Sequence, residues 1–172
     1  MSVESREDRC VRLLHAHDHA LRRLAATYER DPSRQQDLVQ DIWLAVWQAL
    51  PTFRGESSER TFIFRIAHNR AVSHIDRWQR RRTDTLDDEA PVAAPGPDPE
   101  HSLSTQQRHE RLQAAVLSLP LGLRQVVVLT LEGLSHAEVA EIVGISENNV
   151  AVRLTRAKAA LSRLLEAREV RA

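Results

Sequence analysis

Residues 135–165 read SHAEVAEIVGISENNVAVRLTRAKAALSRLL, and the punctuation inside this stretch predicts two helices around a tight turn. Ser135 can cap the first helix while Glu138 reaches back to close a capping box, and Val139, Ile142 and Val143 supply one apolar face. Gly144 can take the left-handed conformation that stops a helix, Ile145 fills the corner, and Ser146 caps the next helix at once. In that second helix Val150, Leu154, Ala157, Leu161 and Leu164 alternate spacings of four and three, one continuous stripe for burial. Beside it runs a stripe of Asn149, Arg153 and Arg156. A short capped helix, a Gly turn and a longer helix with an amide and two guanidiniums on its free face outline a helix-turn-helix. Amides and guanidiniums make bidentate pairs with purine edges, and Arg also binds phosphate. The competing reading is an ordinary helical hairpin with a solvated basic face.

The rest of the chain is bounded by its composition. At 172 residues it holds one compact domain or two small ones, and a hydrophobic fraction of 42% is ordinary for a globular protein. The N-terminus, MSVESREDRC, is charged and is not followed by an apolar run long enough for export or a membrane span. One cysteine, Cys10, excludes an internal disulfide framework and fits a reducing cytoplasm. Lys and Arg number 24, matching 24 Asp and Glu, so nucleic-acid binding has to be argued from where the charges lie.

Towards the N-terminus, residues 8–28 read as a helix in which Val11, Leu14, Leu21, Leu24 and Ala25 recur near helical spacing, broken by Asp31-Pro32-Ser33. His15, His17 and His19 do not make a metal site: residues two apart point away from each other on a helix, and no Cys or His cluster elsewhere completes four ligands. The next helix, from Ser33 or Arg34 to Leu50, has a core stripe of Leu38, Ile42, Ala45, Val46 and Ala49 and a mostly polar one of Asp37, Gln40, Asp41, Leu44 and Gln48. Of Trp43 and Trp47, one turn apart, at least one is expected in the core. The other, above an acidic-amide rim, suits a basic protein partner.

After the loop Phe53-Arg54-Gly55-Glu56-Ser57-Ser58 comes a helix from about Ser58 to Arg82. Ile63, Ile66, Ala67, Ala71, Ile75 and Trp78 are placed to face inward, while Phe62, Arg65, Asn69 and Asp76 take another side and the far end runs out in arginines. Cations that track phosphates, interleaved with rings on which unpaired bases stack, are what a single-stranded nucleic-acid groove needs; a core helix with a solvated Arg tail is the bland alternative. Residues 83–104, TDTLDDEAPVAAPGPDPEHSLS, carry four prolines, a glycine and no Lys or Arg, which reads as an extended or disordered linker. A helix from about Thr105 with Leu112, Ala115, Val116 and Leu119 inward, and another from Pro120 to Leu131 ending at Gly133, complete a bundle around the helix-turn-helix. The fold class expected is all-α: two small helical domains, 1–82 and 105–172, joined by a flexible linker at 83–104.

This order of motifs resembles a bacterial RNA polymerase sigma factor of the small, extracytoplasmic-function (ECF) type. The resemblance rests on DLVQDIWLAVWQAL, then FRGESSERTFIFRIAHNRAVSHIDR, then LSLPLGLRQVVVLTLEGLSHAEVAEIVGISENNVAVRLTRAKAAL, and it covers all but the termini and the linker. It implies a cytoplasmic protein without enzymatic activity, cofactor or metal, whose partners are core RNA polymerase and promoter DNA. The N-terminal domain would bind the clamp coiled coil of the polymerase β′ subunit through Asp37, Gln40, Asp41, Leu44 and Trp47. Phe53, Arg54, Gly55, Glu56, Ser57 and Ser58 would form a pocket for an extruded base of the melted minus-ten element, with Phe62, Arg65, Asn69 and Arg77 along the same strand. The C-terminal domain would dock on the β flap and offer Asn148, Asn149, Arg153 and Arg156 to the minus-thirty-five element. An anti-sigma factor is a further candidate partner. Two departures stand out: where the family commonly has Gly-Thr-Val-Lys-Ser-Arg this chain has Asn148-Asn149-Val150-Ala151-Val152-Arg153, without the phosphate-contacting lysine, and Phe62 stands where the family often has tryptophan. The first puts the promoter sequence in doubt.

A stand-alone helix-turn-helix regulator is the alternative. It predicts tight duplex binding without polymerase, by dimers matched to half-sites. Zero net charge disfavours it, because affinity for long DNA rests largely on phosphate neutralisation. An enzyme is disfavoured too, since no catalytic motif or metal spacing stands out.

Overall fold

The computed structural model describes residues 4–84 and 103–169, and every regular element among them is helical. Helix α1 (Arg6–Ala26) is capped by Ser5, whose Oγ accepts from the Asp8 amide at 3.1 Å, with Glu7 and Asp8 placed against the positive end of the helix dipole. Helix α2 (Pro32–Ala49) starts with Pro32, which has no N–H to leave unpaired, behind Asp31, whose carboxylate accepts from the amides of Ser33 and Arg34. It tightens into a 3-10 turn at Leu50–Thr52. Helix α3 (Glu59–Asp84) is capped by Ser58, which accepts from the Thr61 amide at 3.0 Å. The expected linker, 83–104, lies outside the described residues except at its ends, which extend α3 and begin α4 (Leu103–Leu117). Helices α5 (Leu121–Leu131), α6 (His136–Val143) and α7 (Glu147–Glu169) follow.

The all-α expectation holds, and the turn that anchored it forms as anticipated. Both halves of the Ser135–Glu138 capping box are present, and Gly144 ends α6 in the left-handed region at φ +75°. Elsewhere the stripes shift. Val11 and Leu14 of α1 are exposed, at 54% and 39%, and Leu13 is buried instead. The inward stripe of α1 runs Leu13, His17, Leu21, Leu24, so a half-buried histidine occupies a turn that apolar spacing alone skips. Val39 is buried in α2 while Ala49 is only partly so, and Phe64 is wholly buried in α3 beside Ile63, Ala67 and Ala71. Leu112 of α4, expected inward, is 41% exposed, whereas Ala115, Val116 and Leu119 are buried.

Helices α1, α2 and α3 pack on one another, as do α4 to α7, and α3 lies against α6. The hydrophobic core is continuous across that seam: Leu21, Ile42 and Phe64 belong to the same buried cluster as Val126, Val139 and Val150. Polar contacts line it. Arg65 pairs with Glu141 at 2.7 Å, the Thr61 hydroxyl donates to Glu138 at 2.7 Å, and Arg60 donates to the Glu132 carbonyl. Arg23 of α1 grips the Glu132 carboxylate at 2.6 Å. The Gln113 side chain donates to the carbonyl of Ala26 at 3.0 Å.

Candidate nucleic-acid interface

A cavity of about 250 Å³ opens between the loop that leads into α3 and the first turns of α3, lined by Thr52, Phe53, Arg54, Glu56, Ser57, Phe62 and Arg65. That is below the range of about 300–1,000 Å³ usual for drug-sized ligands, and it suits one planar ring system. The chain enters from a turn in which the Phe53 amide donates to the Leu50 carbonyl, and it reverses at Gly55, whose φ of +77° few other residues adopt. The rings of Phe53 and Phe62 meet at 4.8 Å between centroids, tilted by 54°. Arg65, one turn beyond Phe62, donates to Ser57 Oγ at 3.2 Å and to Glu141 at 2.7 Å. Its Nε is buried and makes no hydrogen bond among the described residues.

Of the residues expected here, Gly55 and Ser58 stand outside the lining: Gly55 makes the turn, and Ser58 caps α3. Asn69 is exposed one turn along from Arg65, on the same face of α3. Arg77 is drawn elsewhere, to Asp41 of α2 at 3.4 Å. Thr52, which joins the lining, escaped sequence reasoning, as did a set of α1 side chains behind it. Arg9 lies over the Phe53 ring at 4.9 Å and bonds Glu59 at 2.8 Å, and Arg12 bonds both Glu59 and Glu4. Hydrogen bonds from Arg12 and then Arg9 outweigh partial burial and hold the Glu59 carboxyl down to about 2. The spacing of Arg6, Arg9 and Arg12 was legible as one basic face of a helix; the partners, some fifty residues on for Glu59, were not.

The second surface lies on α2. Asp37, Gln40 and Leu44 are exposed on one face, Leu44 at 55%. Asp41 carries the Arg77 contact, and Trp47 is half-covered by Arg6, whose guanidinium sits 4.1 Å from the ring and donates to the Trp47 carbonyl. Trp43 turns inward and its indole N–H donates to Asp18 at 3.0 Å.

The third surface is the start of α7. Ser146 Oγ accepts from the Asn149 amide at 3.2 Å, and Asn148, Asn149 and Arg156 are exposed. Arg153 is partly buried and folds back so that its guanidinium is 3.4 Å from the Gly122 carbonyl. Among the described residues, then, Arg156 of the stripe is exposed and Arg153 is turned to Gly122, where two open guanidiniums were expected.

Residues 13–82 match the Sigma-70 region 2 model and residues 109–161 match the Sigma-70, region 4 model. The RNA polymerase sigma factor CnrH of Cupriavidus metallidurans is 32% identical over 90% of this chain and 85% of its own. The chain belongs to the RNA polymerase sigma factors, and to their ECF type. The ECF RNA polymerase sigma factor SigM of Mycobacterium tuberculosis is 30% identical over 89% of this chain and 75% of that protein. The structure of CnrH in complex with the cytosolic domain of CnrY superposes with a TM-score of 0.68 at 27% identity, covering 92% of this chain and 88% of that one. As a sigma factor, the protein directs RNA polymerase to promoters, and a duplex-binding regulator acting alone is not favoured.

Proposed function

We propose that this ECF sigma factor captures melted minus-ten DNA in the cavity between the loop before α3 and α3 itself, while α7 reads the minus-thirty-five element as duplex. The observation that carries the reading is the cavity itself: two mutually tilted phenyl rings and two guanidiniums around a space for one base, inside the region-2 match. Extruding a base costs a few kcal/mol, which stacking and hydrogen bonds in such a pocket must recover. Phe62 offers a stacking face and Phe53 the aromatic wall beside it, Arg54 and Arg65 offer cations to phosphate or base, and Asn69 holds the next stretch of strand. No bond is made or broken, so the protein acts as a binding subunit.

The face of Asp37, Gln40, Asp41, Leu44 and Trp47 is assigned to the polymerase β′ clamp. An exposed leucine and a tryptophan within an acid-amide rim are suited to a basic helical partner. Asn148, Asn149 and Arg156 are assigned to the duplex, with Arg153 a ready phosphate ligand once it leaves Gly122. Residues 1–82 then form the clamp-binding and minus-ten unit, 105–172 the minus-thirty-five and flap-binding unit, and the acidic segment 83–104 the tether between them, suited to a basic polymerase channel. Work with polymerase places the protein in the cytoplasm, and no helix among the described residues is long and apolar enough to cross a membrane. CnrH was solved in complex with the cytosolic domain of CnrY, which supports a protein partner for this chain also, and an anti-sigma factor is the partner expected.

Transcription in vitro with bacterial core polymerase on a library of promoter fragments tests the assignment. Initiation that depends on the protein, from promoters sharing two spaced elements, supports it. Duplex binding without polymerase and no initiation would return the chain to the regulator reading.

A further inference from the structure

Helix α1 has no task in promoter recognition as described so far, yet its first two turns reach the wall of the base pocket. Arg9 stands at the centre of that reach. Its Nε and terminal nitrogen both lie 2.8 Å from Glu59 Oε1, and its guanidinium carbon is 4.9 Å from the Phe53 centroid. Phe53 is therefore held on two sides, by the cation of α1 and by the Phe62 ring at 4.8 Å. Glu59 opens α3 three residues before Phe62, and Arg12 grips it at 2.9 Å while Glu4 holds Arg12 in turn at 2.8 Å. The loop itself supplies little restraint. Its middle residues, Arg54 to Glu56, are exposed, and Gly55 leaves the chain free to pivot.

We propose that Arg9 is a positioning residue for base capture: it fixes the Phe53 ring and the start of α3 in one frame, so that the pocket is formed before the strand arrives. The inference rests on the pocket reading given above. Arg9 is 28% exposed and its donors are turned to Glu59, so it acts through Phe53 and Glu59. A preformed wall spares the strand the cost of ordering the loop, and that saving appears only when a base fills the pocket. A phosphate ligand would behave differently, strengthening every strand alike.

The test uses the full chain with core polymerase and labelled single strands of the minus-ten element found by the transcription experiment, each strand carrying an abasic residue at one position. In the unchanged protein, one position shows a loss of affinity when its base is missing. Arg9→Ala is expected to shrink that loss by roughly three- to tenfold while leaving affinity for the abasic strand unchanged. Arg9→Lys keeps a cation above the ring without the fork to Glu59 and is expected to fall between. Glu59→Gln, which loosens Arg9 without touching Phe53, should move the same quantity in the same direction, and thermal melting of each variant confirms that it folds. A base penalty in Arg9→Ala equal to that of the unchanged protein overturns the inference, as does an equal loss on base-containing and abasic strands. If the unchanged protein shows no base penalty at any position, the pocket reading falls first and this inference falls with it.

Discussion

Phe62 concentrates the chemistry of the pocket in one side chain, since it meets the Phe53 ring at a tilt, packs against the core and lines the cavity. Phe62→Leu, which keeps apolar bulk and removes the π-face, should weaken polymerase-dependent binding of the minus-ten strand by about 1–3 kcal/mol. Phe62→Trp, the ring the family often carries, should retain it; competition binding with single-stranded DNA measures both. Asn69→Ala should impair promoter opening more than polymerase binding, read as permanganate reactivity of melted thymines against the affinity for core enzyme. His68, two residues before Arg70 on the same helix, predicts something about stability. It is buried, with no ion-pair partner among the described residues, and burial pushes it down to about 4 from an ordinary 6.5. Above 6.5 both folded and unfolded chains carry it neutral, and as pH falls from there towards 4 only the unfolded chain takes up the proton. Stability should fall across that window by up to about 3 kcal/mol. His17, also lowered by burial, adds in the same direction. Urea unfolding at several pH values checks it, with His68→Leu expected to flatten most of the slope.

The helix-turn-helix shows what an element owes to its own sequence. Gly144 sits at φ +75°, and a Cβ there would meet nothing within 4 Å, so Gly144→Ala costs only the left-handed strain, about 1–2 kcal/mol. Gly144→Asn should cost less, because Asn visits that region readily; urea midpoints of the two variants order them. Such features were legible because their causes are local: a cap, a glycine and an i, i+3 return within a few residues. Most helix ends fell within about two residues for the same reason, while α7 runs to Glu169, four residues past the Leu165 read from its apolar stripe. The stripe of α1 was misread because a histidine filled a core turn, and Leu112 because the α4 surface it occupies has no partner that the sequence could name. In the pocket, the loop and Phe62 were readable from aromatic and basic residues side by side. Arg9 and Glu59 were not, because charges that find each other across fifty residues leave no periodic trace. Arg153 was readable as a guanidinium on the recognition stripe, but its retreat to Gly122 depends on how α5 crosses α7.

At the scale of the molecule, one buried cluster joins the two groups of helices that match the two sigma regions. Heat should therefore unfold the free chain in one calorimetric transition, and two separated transitions would refute the coupling. The seam also takes up charge. Arg65 is one of two arginines that line the pocket, and in the free chain it is paired with Glu141 of α6, with both side chains near half exposed. A pair so exposed is worth about 0–1 kcal/mol, so Glu141→Ala should raise the free chain's affinity for a single strand by no more than about fivefold. Its larger effect is on how binding answers to salt. Phosphate contacts normally weaken steeply as salt rises, since the release of counterions from the strand that favours binding gains less at higher salt. On the proposed reading the strand displaces an internal carboxylate, and the same salt that screens the strand loosens the carboxylate's hold. The two dependences oppose each other, so binding should fall less steeply with salt than the number of phosphates touched would require. In Glu141→Ala, where nothing is left to displace, the steeper slope should return.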